Sequence, residues 1–207
     1  MSTEEFELYN KLVEEIKKCR KCNLWKNKLN YVIGDGNIFS KIMFIGEAPG
    51  AEEDKQGKPF VGAAGKYLSK VIKEKIGFED RSNYYITNVI KCRPPNNRDP
   101  TEEEINACKE WLEIQLEIIK PEIIVTLGRY STKWIFEYFG LKFTSILKVR
   151  GKVYEAEKWN KKIKIIPTLH PAAVLYHANW KELFEKDFEL IANEIRKRTH
   201  NLKDFIR

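Results

Sequence analysis

A chain of 207 residues that is 43% hydrophobic can bury one sizeable core, so a single domain over 1–207 is expected. No apolar run approaches a membrane span, and the charged start MSTEEFELYNKLVEEIKK is no secretory signal, which argues against membrane and secreted classes and for an intracellular protein. The formal charge of +7 is a mild pull toward polyanions and nothing stronger.

Phe6, Leu8, Leu12, Val13 and Ile16 recur at helical spacing, which predicts a helix over 4–18. Cys19 and Cys22 follow as a C-x2-C pair, and thiolates at that spacing can grip one metal. With Cys92 and Cys108 the chain has four cysteines and none to spare. In a reducing compartment disulfides are not expected, so a metal site is the better reading than four unrelated thiols. The spacing does not choose between zinc and an iron–sulfur cluster.

Four short apolar runs then read as buried strands: KIMFIG (41–46), NYYITNVI (83–90), PEIIVTLG (121–128) and KIKIIPTL (162–169). Helical stretches lie between and after them at 63–76, 101–119, 129–139 and 180–200, and 149–159 reads as a small hairpin. Pro100, Thr101 and three acids after them make RDPTEEEI a helix start. Strands alternating with helices predict an α/β fold with a mainly parallel sheet covered on both faces.

Ligands of such sheets bind at the carboxyl ends of the strands. There the chain carries Gly46-Glu47-Ala48-Pro49-Gly50, then Asn88, then Gly128-Arg129-Tyr130-Ser131, then His170-Pro171. Neither G-x4-G-K-[ST] nor G-x-G-x-x-G is present, so a nucleotide-phosphate loop is disfavoured, although 62–66 could hold one phosphate. Phe60, Asn88, His170 and Glu47 instead suit a base pocket: an aromatic stacks, an amide reads an edge, and a His stabilises an anionic oxygen. Each has a plainer alternative. Phe60 can plug the core, Asn88 and His170 can serve turns, and Glu47 can be solvated.

The segments GEAPGAEEDKQGKPFVGAAG, ITNVIKCRPPNNRDPTEEEINAC, LGRYS and HPAAVL, with the C-x2-C pair, resemble the motifs of family 4 uracil-DNA glycosylases, the iron–sulfur-containing type. The resemblance runs from about Cys19 to the last helix; Ala63 departs from it, standing where many members carry arginine. It implies a three-layer α/β/α fold with a central four-stranded, mainly parallel sheet. It implies a 4Fe–4S cluster on Cys19, Cys22, Cys92 and Cys108, structural rather than redox-active. It implies a monofunctional glycosylase that flips uracil out of DNA and hydrolyses its N-glycosidic bond. The expected partners are uracil-containing DNA, uracil as product and a sliding clamp; a monomer, cytoplasmic and nucleoid-associated, is the expected state.

Under this resemblance Phe60 stacks on uracil and Asn88 accepts from N3–H and donates to O4. His170, with backbone amides of Gly46–Ala48, stabilises charge on O2. Glu47 is the carboxylate nearest the slot where other uracil glycosylases hold water with an Asp; Ala48 occupies the slot itself. Gly50 stands where those enzymes place a methyl-excluding tyrosine, and Glu53 is expected to fill the gap. Lys91, Arg93 and Arg98 are expected to face the DNA backbone. Val174 and Tyr176 are expected in a short projection beside the pocket, with Tyr176 as the wedge and Leu175 as core. Two alternatives are a zinc-binding nucleic-acid module and a hydrolase of free nucleosides or nucleotides.

Overall fold

A computed structural model describes the backbone of residues 3–204 and the side chains of 4–198. Helix α1 (Thr3–Lys17) leads through β1 (Asp35–Gly36) to β2 (Ile42–Gly46), α2 (Ala51–Gln56) and α3 (Ala63–Val71). Then come β3 (Tyr85–Asn88), α4 (Glu102–Ile119), β4 (Ile123–Leu127), α5 (Arg129–Tyr138) and α6 (Ile146–Val149). The chain continues through β5 (Tyr154–Lys158), β6 (Lys161–Thr168), α7 (Pro171–Tyr176) and α8 (Lys181–Asp204).

The sheet has six strands in the order β1-β3-β2-β4-β6-β5, not four. The four expected strands are its parallel centre; β1 and β5 are antiparallel edges. The centre was legible because strands covered on both faces become continuous apolar runs. Every residue of β2, β3 and β4 is buried. The edges lack that signal: β1 is two residues long, and β5 reads YEAEK. The expected hairpin exists but lies further along. Its arms are β5 and β6, joined at Trp159 and Asn160, both with φ of 55°, the left-handed geometry of a tight two-residue hairpin turn.

Alternate strand residues feed two cores. Met43 and Ile45 pack with Leu12 and Ile16 of α1, Leu112 and Leu116 of α4, and Ile135 of α5. Ile42 and Phe44 pack with Leu68 of α3 and Phe184, Phe188 and Ile191 of α8. Thr101 caps α4 as expected: its hydroxyl accepts from the Glu104 N–H, and the Glu104 carboxylate accepts from the Thr101 N–H at 2.8 Å.

The short helices α2, α6 and α7 are not legible in the sequence. α2 forms inside the glycine-rich loop and stops at Gly57, whose φ is 68°. α7 occupies 171–176, so Val174, Leu175 and Tyr176 are helical rather than an irregular projection. Its orientation reverses two expectations. α7 packs on α3 and buries Val174 in the second core, at 4% exposure, so Val174 cannot reach DNA. Leu175 is instead exposed, and Tyr176 is 85% exposed.

Candidate functional site

The parallel register lines up the strand ends, with Gly46 beside Asn88 and Leu127 beside Thr168. Beyond β3 the chain is tied down, since the Val89 N–H donates to the Gly46 carbonyl and the Ile90 N–H to that of Glu47. A cleft of about 690 Å³ opens over these ends. That is within the range of small-ligand sites.

At its floor, Gly46 lets two side chains close in. A Cβ there would lie 2.4 Å from Phe60 Cζ and 2.5 Å from Asn88 Oδ1. Asn88 is 1% exposed, and its Oδ1 has no hydrogen-bond partner among the described residues. Buried amides are nearly always paired, so this one is built for something that enters the cleft. Phe60 takes a φ of 53°, uncommon for a large side chain. Its carbonyl accepts from the Arg81 guanidinium at 2.8 Å, and Arg81 pairs with Asp35 of β1 at 2.7 Å. The next two amides, Val61 and Gly62, donate to Glu53 Oε1 at 2.8 and 2.7 Å. Glu53 thus holds the Phe60 loop from α2, while its Oε2 fills the side-chain space that Gly50 lacks.

His170 caps α7. Its Nδ1 accepts from the Ala172 N–H at 3.2 Å. Burial pulls its pKa down to about 4, against an opposing pull from Glu53. The ring is therefore neutral near pH 7 with its proton on Nε2, a donor. Its centroid is 6.1 Å from that of Phe60. Gly128, at φ of 95°, makes room for it: a Cβ there would stand 2.9 Å from His170 Cβ. Glu47 is pushed up to about 7, by burial first and then by Asp99, with Arg129 opposing. Asp99 is paired with Arg129 and accepts from the Tyr130 hydroxyl at 3.1 Å.

A second, small cavity is lined by all four cysteines together with Ile16, Leu24, Ile90 and Trp111. The Trp111 indole N–H donates to Cys19 Sγ at 3.3 Å. Burial pushes the Cys22 and Cys92 thiols up, with neighbouring thiolates adding to it. Burial also raises Cys108, to about 11, against the pull of Lys91. Among the described residues no three His, Cys, Asp or Glu side chains converge as the ligands of one metal ion would.

The model of the uracil DNA glycosylase superfamily matches residues 33–196. The chain belongs to this superfamily. It is 52% identical over 94% of its length to a type-4 uracil-DNA glycosylase of Archaeoglobus fulgidus, covering 97% of that protein. It is 55% identical over 87% of its length to the type-4 enzyme of Sulfurisphaera tokodaii, covering 82% of it. A third type-4 uracil-DNA glycosylase, from Saccharolobus solfataricus, is 48% identical over 94% of this chain and 90% of its own.

In this superfamily member the cleft gathers Glu47, Ala48, Glu53, Phe60, Asn88 and His170, with Gly46 beneath them and Arg98 and Tyr176 at its mouth. Arg98 forks onto Glu104 at 2.6 and 2.8 Å, and Arg93, which does not line the cleft, donates at 2.7 Å to Asn97, which does. Lys91 is a correction. It is 1% exposed and bonded to three interior acceptors, so it cannot face the DNA backbone. Arg129, at the expected strand-end rim, also lines the cleft, as do Asp99, Leu147 and Trp180, which the sequence does not mark as site residues. Asp99 read only as part of a helix start, and nothing local marks Leu147.

Proposed function

We propose that this chain excises uracil from DNA, hydrolysing the N-glycosidic bond to release free uracil and leave an abasic site. The observation that carries this reading is the unpartnered Asn88 Oδ1 against Phe60 on the cleft floor. A base must leave the stack to reach that depth. Phe60 offers it a face. Asn88 Oδ1 accepts from N3–H of uracil while its Nδ2 donates to O4. Cytosine has the opposite pattern at both atoms and leaves the buried amide unpaired. Glu53, filling the space beside Gly50, supports a steric refusal of the thymine methyl.

Bond breaking leaves a cation-like sugar and an anionic base. The neutral His170, donating from Nε2, suits the growing charge on O2 because no proton has to be removed first. Glu47, held near neutrality, is the group to orient and deprotonate the attacking water. The Glu53 Oε1 atom is occupied by two backbone amides and is not available for that task.

The cysteines fit a 4Fe–4S cluster: four thiols line one small cavity, and the carboxylate that also lines it, Glu104, is already engaged by Arg98 and the Thr101 N–H. When bound, the cluster supplies iron–thiolate bonds that tie the end of α1 to the loop after β3 and to α4. The glycosidic chemistry does not pass through it.

The test is uracil-containing oligonucleotide incubated with purified protein and then alkali. Strand breaks at uracil, absent with Asn88→Ala, support the reading. Intact strands together with cleavage of free uridine or deoxyuridine would replace it with a nucleoside hydrolase.

A further inference from the structure

The cleft does not use one buried, titratable side chain that lies directly below it. Lys91 Nζ donates to Thr87 Oγ1 at 2.8 Å, to the Asn88 carbonyl at 2.6 Å and to Gln115 Oε1 at 2.6 Å. None of these acceptors is a carboxylate. Thr87 spends its own proton on the Ile33 carbonyl at 2.6 Å, so all three groups only accept from Nζ. Three bonded acceptors hold the Lys91 amine in one place. A lysine amine this deeply buried, with no carboxylate among its partners, is a costly feature to keep in a core. Gln115 is itself fixed, because its Nε2 donates to the Ile33 carbonyl and to the Tyr85 hydroxyl, both at 2.9 Å. The Lys91 backbone is anchored too, its carbonyl accepting from the Val32 N–H at 2.8 Å.

We propose that Lys91 is a positioning residue for base recognition. Its amine, braced on Thr87 and Gln115, pins the carbonyl of Asn88 so that the Asn88 amide keeps one orientation in the cleft. The amide itself has no bond on Oδ1 to hold it, so the fixing comes from its own main chain. The neighbouring residue, Cys92, lines the cysteine cavity, as Lys91 itself does. Lys91 therefore also joins the cysteine centre to the base reader. This inference rests on the cleft being a uracil pocket.

The experiment is a double-mutant cycle on the full chain with Lys91→Met, Asn88→Ala and the pair. It measures single-turnover excision rate, KM for a uracil oligonucleotide, affinity for free uracil, and iron per chain. Lys91→Met is expected to lower the rate and the free-uracil affinity by about tenfold or more, the scale of a slightly misplaced group. KM and iron content should stay within about twofold of the unsubstituted chain. In the Asn88→Ala background the same change should cost less than about twofold, because the residue it positions is gone. Losses that simply add, an unchanged rate in Lys91→Met, or a rate loss that tracks iron loss would each overturn the proposal. If Lys91→Met does not fold, Thr87→Val carries the test by removing one brace while leaving the lysine. It should slow excision by about threefold or more with Asn88 present and not in Asn88→Ala; equal effects overturn the proposal. If the unsubstituted chain releases no uracil, the function reading fails instead, and the free-uracil affinities still report on Lys91.

Discussion

Gly65 and Phe60 fit together only because Gly65 lacks a side chain. A Cβ on Gly65 would stand 2.1 Å from both the carbonyl carbon and the carbonyl oxygen of Phe60. Gly65 lies within α3, where alanine is ordinarily worth about 1 kcal/mol more than glycine. The clash is with backbone, which cannot swing aside. Gly65→Ala is therefore expected to destabilise the fold by about 1–3 kcal/mol, the usual cost of overpacking, and to lower uracil excision by moving Phe60. Thermal melting and excision rates on the same sample check it. A higher Tm with unchanged activity would show that α3 slides freely past Phe60.

His170→Ala should cut turnover by about 100-fold or more, the scale of one lost transition-state donor, with DNA affinity little changed. Its titration adds a stability signature. The folded pKa, about 4, lies below the ordinary 6.5. The unfolded chain takes up a proton first as pH falls, so stability is lost from about pH 6.5 down to 4. His170→Gln should flatten that segment of a plot of stability against pH.

Glu47 has the opposite sign. Its folded pKa, about 7, lies above the ordinary 4.5. The folded chain holds the proton longer, so this group lowers stability as pH rises from 4.5 to about 7. The same ionisation switches on the base, so the excision rate should rise with pH through about 7 and then level off. Glu47→Gln should lose both that rise and most of the rate. A rise that persists in Glu47→Gln would assign the base elsewhere, with Asp99 the next carboxylate in the cleft.

Cys108→Ser should abolish iron binding and the visible absorbance of a thiolate-bound cluster, and lower Tm more than any cleft substitution, because metal binding is coupled to folding. Iron and sulfide analysis beside melting curves checks it. One zinc per chain, colourless and active, would point to a mononuclear site instead.

Tyr176 stands 85% exposed at the mouth of the cleft, with Leu175 exposed beside it. Tyr176→Ala is expected to weaken binding to uracil-containing duplex by about 1–3 kcal/mol, the scale of one base–aromatic stack. Affinity for free uracil should hold. Equal loss for both ligands would make Tyr176 part of the pocket wall.

The local sequence determined the class of fold, the cysteine quartet and the principal cleft residues. KIMFIG and PEIIVTLG announce strands because a strand buried on both faces must be apolar throughout, and parallel topology then brings Asn88 and His170 toward one rim. What lies on that rim depends only on where strands end, which is a short-range property. Tertiary structure decided which side chains another element covers. Lys91 sits in the basic run KCR and reads as a surface residue, until Gln115 on α4, 24 positions later, packs over it. Val174 and Leu175 are neighbours of similar character, and only the docking of α7 on α3 buries the first and exposes the second. The two-residue strand β1 exists because Tyr85 and Ile86 offer it a paired edge. In each case the deciding contact comes from a partner distant in the chain, and no local periodicity records where that partner will land.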